Sequence, residues 1–167
     1  MFYELKFELN YRFSCTLECF TRTGSLDGSC YLLFTRGETW NKAREKCKEV
    51  GAELVKIETA DENEFIKTTF LKTSASSPSG FLFIAYWIGL SDEEKEGEWR
   101  WTDGSLLSGK YKNWHEANPD NYGGNENCGS IRFGRRSSEG KVFVWDAEWN
   151  DLRCDERLGF ICERVSP

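Results

Sequence analysis

Apolar positions recur at helical spacing through TWNKAREKCKEV (39–50), where Trp40, Ala43, Cys47 and Val50 fall on one stripe and Gly51 follows as a left-handed stop. This predicts a helix that points Cys47 into the core. ELVKIE (53–58) alternates apolar and polar residues as a half-buried strand does, and Thr59-Ala60-Asp61-Glu62 reads as a capping box opening a second helix through Phe65, Ile66 and Phe70. After the loop TSASSPSG (73–80), the run FLFIAYWIGL (81–90) is dense in aromatic and branched residues and reads as a central strand. Two later strands are expected around SIRFG (130–134) and VFVWD (142–146), joined by a turn over RRSSEGK (135–141), and GFICERV (159–165) closes the chain. Residues 1–18 alternate loosely and are expected to form an extension that pairs as an edge strand.

Between Ser91 and Asn127 the texture changes to Gly, Asn, Asp and Glu with scattered Trp, too polar and too long for regular elements yet anchored by bulky rings. Such ordered loops usually carry function. The chain's 167 residues suit one domain, and 39% apolar content with seven Trp and twelve Phe supports a packed core. A net charge of −6 argues against nucleic acid and anionic membrane as main partners, since both demand a basic face. No apolar run reaches the roughly 18 residues that span a bilayer, so no membrane insertion is expected. The opening MFYELKFELNYRF carries charges where a signal peptide would be apolar, so a mature N-terminus is expected.

Cys15, Cys19, Cys30, Cys47, Cys128, Cys154 and Cys162 contain no CxxC spacing, which favours disulfides in an oxidising compartment, hence secretion, over a zinc or redox site. Their odd number leaves at least one spare. His115 is the only histidine and no glycine-rich phosphate loop is present, so a catalytic triad lacks its base and the chain does not read as an enzyme.

Four stretches together resemble one family. WIGL (87–90), GEWRWTDG (97–104), NPD (118–120) and WND (149–151) are similar to the core-strand, turn, sugar-selecting and calcium-binding motifs of the C-type lectin-like domain, over about Cys19 to Arg164. The resemblance implies an α+β fold with two helices, small antiparallel sheets and a long calcium-binding loop region, divided as an extension (1–18) and a C-type lectin domain (19–167). It further implies disulfides Cys47–Cys162, Cys128–Cys154 and Cys19–Cys30, which leaves Cys15 for an interchain bridge in a disulfide-linked homodimer. The Trp residues at 87, 99, 101 and 114 are then core and loop anchors.

What the resemblance implies about chemistry is specific. Calcium takes about 6 to 8 oxygen ligands, and Asn118, Asp120, Glu126, Asn150 and Asp151 match the family's ligand positions, with a cis peptide bond before Pro119. An auxiliary calcium would use Asp92, Glu96, Asn121 and Asn127 together with Glu126. Two vicinal sugar hydroxyls would complete the main shell through Asn118, Asp120, Glu126 and Asn150, so the order of acids and amides selects the sugar. Mannose-type relatives carry Glu-Pro-Asn and galactose-type relatives Gln-Pro-Asp; Asn118-Pro119-Asp120 has the second order, which favours galactose or N-acetylgalactosamine glycans. Tyr122 stands where an aromatic ring packs on the apolar sugar face. Asn118 is one methylene shorter than the family's Gln, which leaves mannose- or fucose-type specificity, or a protein ligand, as alternatives. Arg135 and Arg136 lengthen the Cys128–Cys154 segment and are expected at a solvated hairpin tip.

Overall fold

The computed structural model describes residues 22–72, 83–138 and 141–165. The extension 1–18 with its expected edge strand, and both Cys15 and Cys19, lie outside the described residues; Cys30 is itself disulfide-bonded. In chain order the elements are β1 (Arg22–Leu26), β2 (Ser29–Glu38), α1 (Trp40–Glu49), β3 (Glu53–Leu54), α2 (Ala60–Ile66), β4 (Phe83–Ser91), β5 (Arg100–Trp101), β6 (Cys128–Ser138), β7 (Lys141–Leu152) and β8 (Leu158–Val165). The strands are ordered β1-β2-β8-β4-β6-β7, with β3 on β8 and β5 on β4.

Both helices begin and end as their sequences dictate. The Thr39 side chain caps α1, and after Val50 the amides of Gly51 and Ala52 fold back onto the carbonyls of Lys48 and Cys47 at 3.0 and 2.9 Å. Gly51 has φ +68°, the left-handed conformation such a helix stop requires. Trp40, Ala43 and Cys47 are buried and Val50 half-buried, so the stripe faces inward. Thr59 Oγ1 accepts the Glu62 amide at 3.1 Å at the start of α2. The reciprocal arm of the box differs: Glu62 Oε2 accepts the amide of Glu58 rather than that of Thr59, at 2.8 Å. Beyond Ile66 the helix widens into a π-type turn, Lys67–Leu71, which buries Phe70 and Leu71.

Three expectations are corrected. The α+β class with two helices holds, but the described strands form one mixed sheet rather than several small antiparallel ones: β4 and β8 run parallel, pairing Tyr86 with Gly159 and Trp87 with Phe160, and this joins all eight strands. A Cβ at Gly159 would lie 2.6 Å from Phe34 O and from the Tyr86 ring, so the junction requires a glycine. Only Glu53–Leu54 of 53–58 is strand: the Val55 amide still donates to Ile161 O of β8 at 2.9 Å, but its carbonyl turns to β4 and receives the Gly89 amide at 2.8 Å. Finally, β6 and β7 run through most of the expected turn, to Ser138 and from Lys141, and β7 continues through WND.

Two packed clusters divide the core. One joins α1 to Trp87, Phe160 and the Cys47–Cys162 disulfide; the other gathers Trp99, Trp101, Ile131 and Trp149 beneath the long loop. The buried indoles of Trp40 and Trp87 donate to Ile88 O and Glu38 O, each at 2.8 Å, so neither leaves an orphan donor. Gly89 explains the glycine of WIGL, since a Cβ there would stand 2.6 Å from Leu54 O. Gly89→Ala should therefore destabilise the domain by about 2 kcal/mol or more in urea unfolding; a loss under about 0.5 kcal/mol would contradict this packing.

Two acidic side chains lie beside β3 and α2, Glu62 buried and Glu163 half-buried. Tyr31 Oη donates to Glu62 Oε1 at 2.9 Å, and Glu163 Oε2 accepts the Lys56 amide at 3.3 Å. Burial, reinforced by each other's charge or that of Glu58, pushes the Glu62 and Glu163 carboxyls above the ordinary range. A carboxyl with a raised folded pKa binds protons more tightly folded than unfolded, so its protonation adds stability as pH falls through the folded value. In chelator, the stability of the parent relative to Glu163→Gln should rise as pH is lowered from about 7 to about 4.5. A pH-independent difference would refute the assignment.

Candidate functional site

The site is organised by Trp149 on β7. Its indole is fully buried, donates to Asn63 Oδ1 at 3.0 Å, and is met edge-on by Trp101, Tyr111 and Trp114 at 5.7, 5.8 and 5.8 Å. The Trp149 amide donates to Asn113 O at 2.7 Å and its carbonyl accepts the His115 amide at 2.9 Å, so loop residues 113–115 lie alongside β7. Just before it, Ala147 sits at φ +64° in a bulge whose carbonyl accepts both Asn63 Nδ2 (3.0 Å) and Asn113 Nδ2 (2.8 Å). With the indole pinned, Asn150 and Asp151 have fixed places opposite Ser130 and Gly129 of β6, and Ser130 Oγ donates to Asn150 O at 3.0 Å. The Cys128–Cys154 disulfide closes this end of the hairpin.

The loop brings the remaining groups to that strand end. The Asn118 amide donates to His115 O at 2.7 Å, the Asn118–Pro119 bond is cis, and Asn118 Nδ2 donates to Asn150 Oδ1. Asn121 takes a left-handed turn, φ 44°, which lets its amide donate to Asp151 Oδ2 at 2.7 Å while its Oδ1 accepts the Glu126 amide at 3.0 Å. Carboxylate oxygens of Asp120, Glu126 and Asp151 consequently lie within 4.8 Å of one another.

Three acids this close oppose one another's ionisation. Burial first, then the charges of Asp151 and Asp120, raises the Glu126 carboxyl; burial likewise raises that of Asp151, offset in part by the amides of Asn121, Asp151 and Asp120. Asp151 is wholly buried and its Oδ1 has no hydrogen-bond partner. An orphaned buried carboxylate oxygen beside two further carboxylates is a donor set in want of a cation. All donors are oxygens once the Asn118 and Asn150 amides turn their carbonyls inward, which suits a hard ion such as calcium. The grouping of Glu93 with Cys128 and Cys154 offers no thiolate, because those cysteines are bonded to each other.

Of the auxiliary residues, Asp92 is buried and its carboxyl is raised by burial together with the charges of Glu96 and Asp151. Its Oδ2 accepts the Gly97 amide at 2.8 Å, whereas its Oδ1 and Asn127 Oδ1 are buried without partners. Glu96 is exposed and Asn121 bridges to the main set. Tyr122 is 78% exposed, and its amide donates to the Glu126 carboxyl. Trp87, Trp99 and Trp101 are buried and Trp114 is half-buried, as anchors should be; Arg135 is exposed on β6. Sequence reasoning missed Asn63, Asn113, Ser130 and the His115–Glu148 pair (2.9 Å), which hold the ligand-bearing segments in place. Asn63 had a signal: it is a polar residue beside Glu62 on the inward face of α2.

Comparison with known proteins identifies the family and the fold. The family described as Lectin C-type domain matches residues 36–164. The chain belongs to the C-type lectin domain family. Mouse CD209 antigen-like protein D is 36% identical over 141 residues, 84% of this chain and 49% of that protein. The alpha-N-acetylgalactosamine-specific lectin of Patiria pectinifera is 32% identical over 141 residues, 82% of this chain and 74% of that protein. The mouse scavenger receptor C-type lectin carbohydrate-recognition domain superposes with TM-score 0.68 at 30% identity, covering 89% of this chain and 98% of that one. The chain thus spans about half the length of the mouse CD209-like protein. The scavenger receptor domain is described as a carbohydrate-recognition domain, and as a member of this non-enzymatic family the chain is not an enzyme.

Removing one of the crowded charges should relieve the metal-free domain. Asp151→Asn keeps the acceptor for Asn121 and turns an NH2 toward the neighbouring carboxylates, so in chelator it should raise unfolding stability by about 1 kcal/mol. Destabilisation of similar size would show that the acids are not in conflict.

Proposed function

We propose that this C-type lectin domain binds terminal sugars through a calcium ion held by Asn118, Asp120, Glu126, Asn150 and Asp151. The observation that carries this reading is the convergence of three carboxylates within 4.8 Å around the partnerless, buried Oδ1 of Asp151. Calcium supplies the charge that lets all three ionise together and leaves open positions for a sugar diol. Asp120, exposed at the loop surface, and the Asn118–Asn150 amide pair are the acceptors and donors that hold the two hydroxyls. The auxiliary set of Asp92, Glu96, Asn121 and Asn127 with Glu126 takes a second calcium, supported by the orphaned oxygens of Asp92 and Asn127.

The favoured sugar is galactose or N-acetylgalactosamine. Support comes from the amide-Pro-acid order of Asn118-Pro119-Asp120, from the exposed ring of Tyr122 one turn from Glu126, and from the N-acetylgalactosamine-specific starfish relative. Disulfides within the fold are in keeping with a secreted domain, and no helix among the described residues is long and apolar enough to cross a membrane. A homodimer bridged through Cys15 would make the lectin bivalent, which strengthens weak monosaccharide sites.

The domain should be retained on galactose-agarose in calcium and released by chelator or by acid, which protonates the ligand carboxylates. Reversing the order with Asn118→Glu and Asp120→Asn should move retention to mannose-agarose. Retention on mannose by the parent would assign the alternative specificity, and failure on both supports, with no calcium-induced stabilisation, would favour a protein ligand.

A further inference from the structure

One side chain far from the loop region reaches the strand that carries two of the proposed calcium ligands. Asn63 stands on α2, is 5% exposed, and commits both ends of its amide to β7: Nδ2 donates to Ala147 O at 3.0 Å and Oδ1 accepts the Trp149 indole N–H at 3.0 Å. It therefore grips the strand on either side of Glu148, at the bulge where β7 shifts register against β6. Only an amide supplies a donor and an acceptor on so short an arm; Asp lacks the donor when ionised, and Leu lacks both. The helix that carries it is braced from behind, since Phe65 packs against Tyr31 at 5.1 Å and Glu62 accepts the Tyr31 hydroxyl at 2.9 Å. A second tie from the same segment, Lys67 Nζ to Asp146 Oδ2 at 2.9 Å, ends on a side chain that is 64% exposed and holds the strand weakly.

We infer that Asn63 is a positioning residue that sets calcium affinity, an inference that rests on the function proposed above. It acts through Trp149 and Ala147 on the strand end from which Asn150 and Asp151 reach the ion. The reason is the conflict among the acids. Asp151 is buried beside Asp120 and Glu126 with one oxygen unpartnered, so in the metal-free domain any slack in β7 is taken up by moving these carboxylates apart. Asn150 and Asp151 follow Trp149 directly, and an indole released from Asn63 passes its freedom to them. Calcium then binds only the fraction of molecules whose strand end has returned, and its apparent affinity falls by that fraction. A buried amide that merely completes the core would change stability and leave calcium affinity as it was.

The test pairs calcium titration by calorimetry, at a temperature where each variant is folded by circular dichroism, with urea unfolding in chelator. Asn63→Ala should weaken calcium binding about ten-fold or more, the effect usual when a group that orients metal ligands is removed. Asn63→Leu, which fills the space but neither donates nor accepts, should do the same and carries the test should the alanine variant not fold. Phe34→Leu is the control for lost stability: it loosens the ring stacked on Phe160 at 4.5 Å in the other core cluster, so it should lower urea stability and leave calcium affinity unchanged. Unchanged calcium affinity in a folded Asn63 variant, or equal weakening by Phe34→Leu, would overturn the inference while leaving the calcium site standing. A parent domain that binds no calcium would overturn the function proposed above, and the role of Asn63 with it.

Discussion

Three carboxylates held within a few ångström of one another, one of them shut away from water, form an arrangement that folding alone does not favour, and the loop region of this domain is shaped to impose it. The force that imposes it is apolar. Trp149 is buried among three aromatic rings and tied to Asn63 and Asn113, so the two residues after it on β7 cannot drift from the strand end. A fully buried aromatic side chain contributes on the order of 2 kcal/mol or more through area alone, and here that burial fixes the strand that carries part of the acidic cluster. Core and site are therefore one energetic unit.

The same logic explains why the long loop can be polar yet ordered. Its segments are fastened to regular structure at each step: residues 113–115 against β7, Asn118 to His115 and Asn150, Asn121 to Asp151, and Asp92 to Asn127. Few of these bonds engage the acids' outer oxygens, and that is the basis of the proposal that the region holds a cation and, through it, a ligand with paired hydroxyls. On the proposed reading, in which the order of an acid and an amide selects the sugar, those groups need to be held this firmly, since a loose loop would present either order alike.

Much of this was legible in the sequence. The helical stripe of α1 and its Gly51 stop, the Thr59 cap and the WIGL strand stand where periodicity and capping chemistry put them, and the structure brings together carboxylates of Asp120 and Asp151, from NPD and WND, with Glu126. What stayed hidden depends on contacts between distant segments. The parallel junction of β4 with β8 rests on Gly159 meeting Phe34 and Tyr86, and nothing local distinguishes that glycine from one in a turn. The strand 53–58 ends at Leu54 because Val55 divides its backbone bonds, its amide to Ile161 of β8 and its carbonyl to Gly89 of β4, a division invisible to alternation. Asn63 and Asn113 converge on one carbonyl created by a left-handed alanine, and alanine carries no sequence signal for that conformation.

The most direct measurement is a crystal structure of the domain grown in excess calcium with its terminal sugar. The account predicts an ion about 2.3 to 2.6 Å from oxygens of Asn118, Asp120, Glu126, Asn150 and Asp151, with two sugar hydroxyls in the remaining positions. Carboxylates of Asp120, Glu126 and Asp151 turned away from one another, with no ion between them, would contradict it.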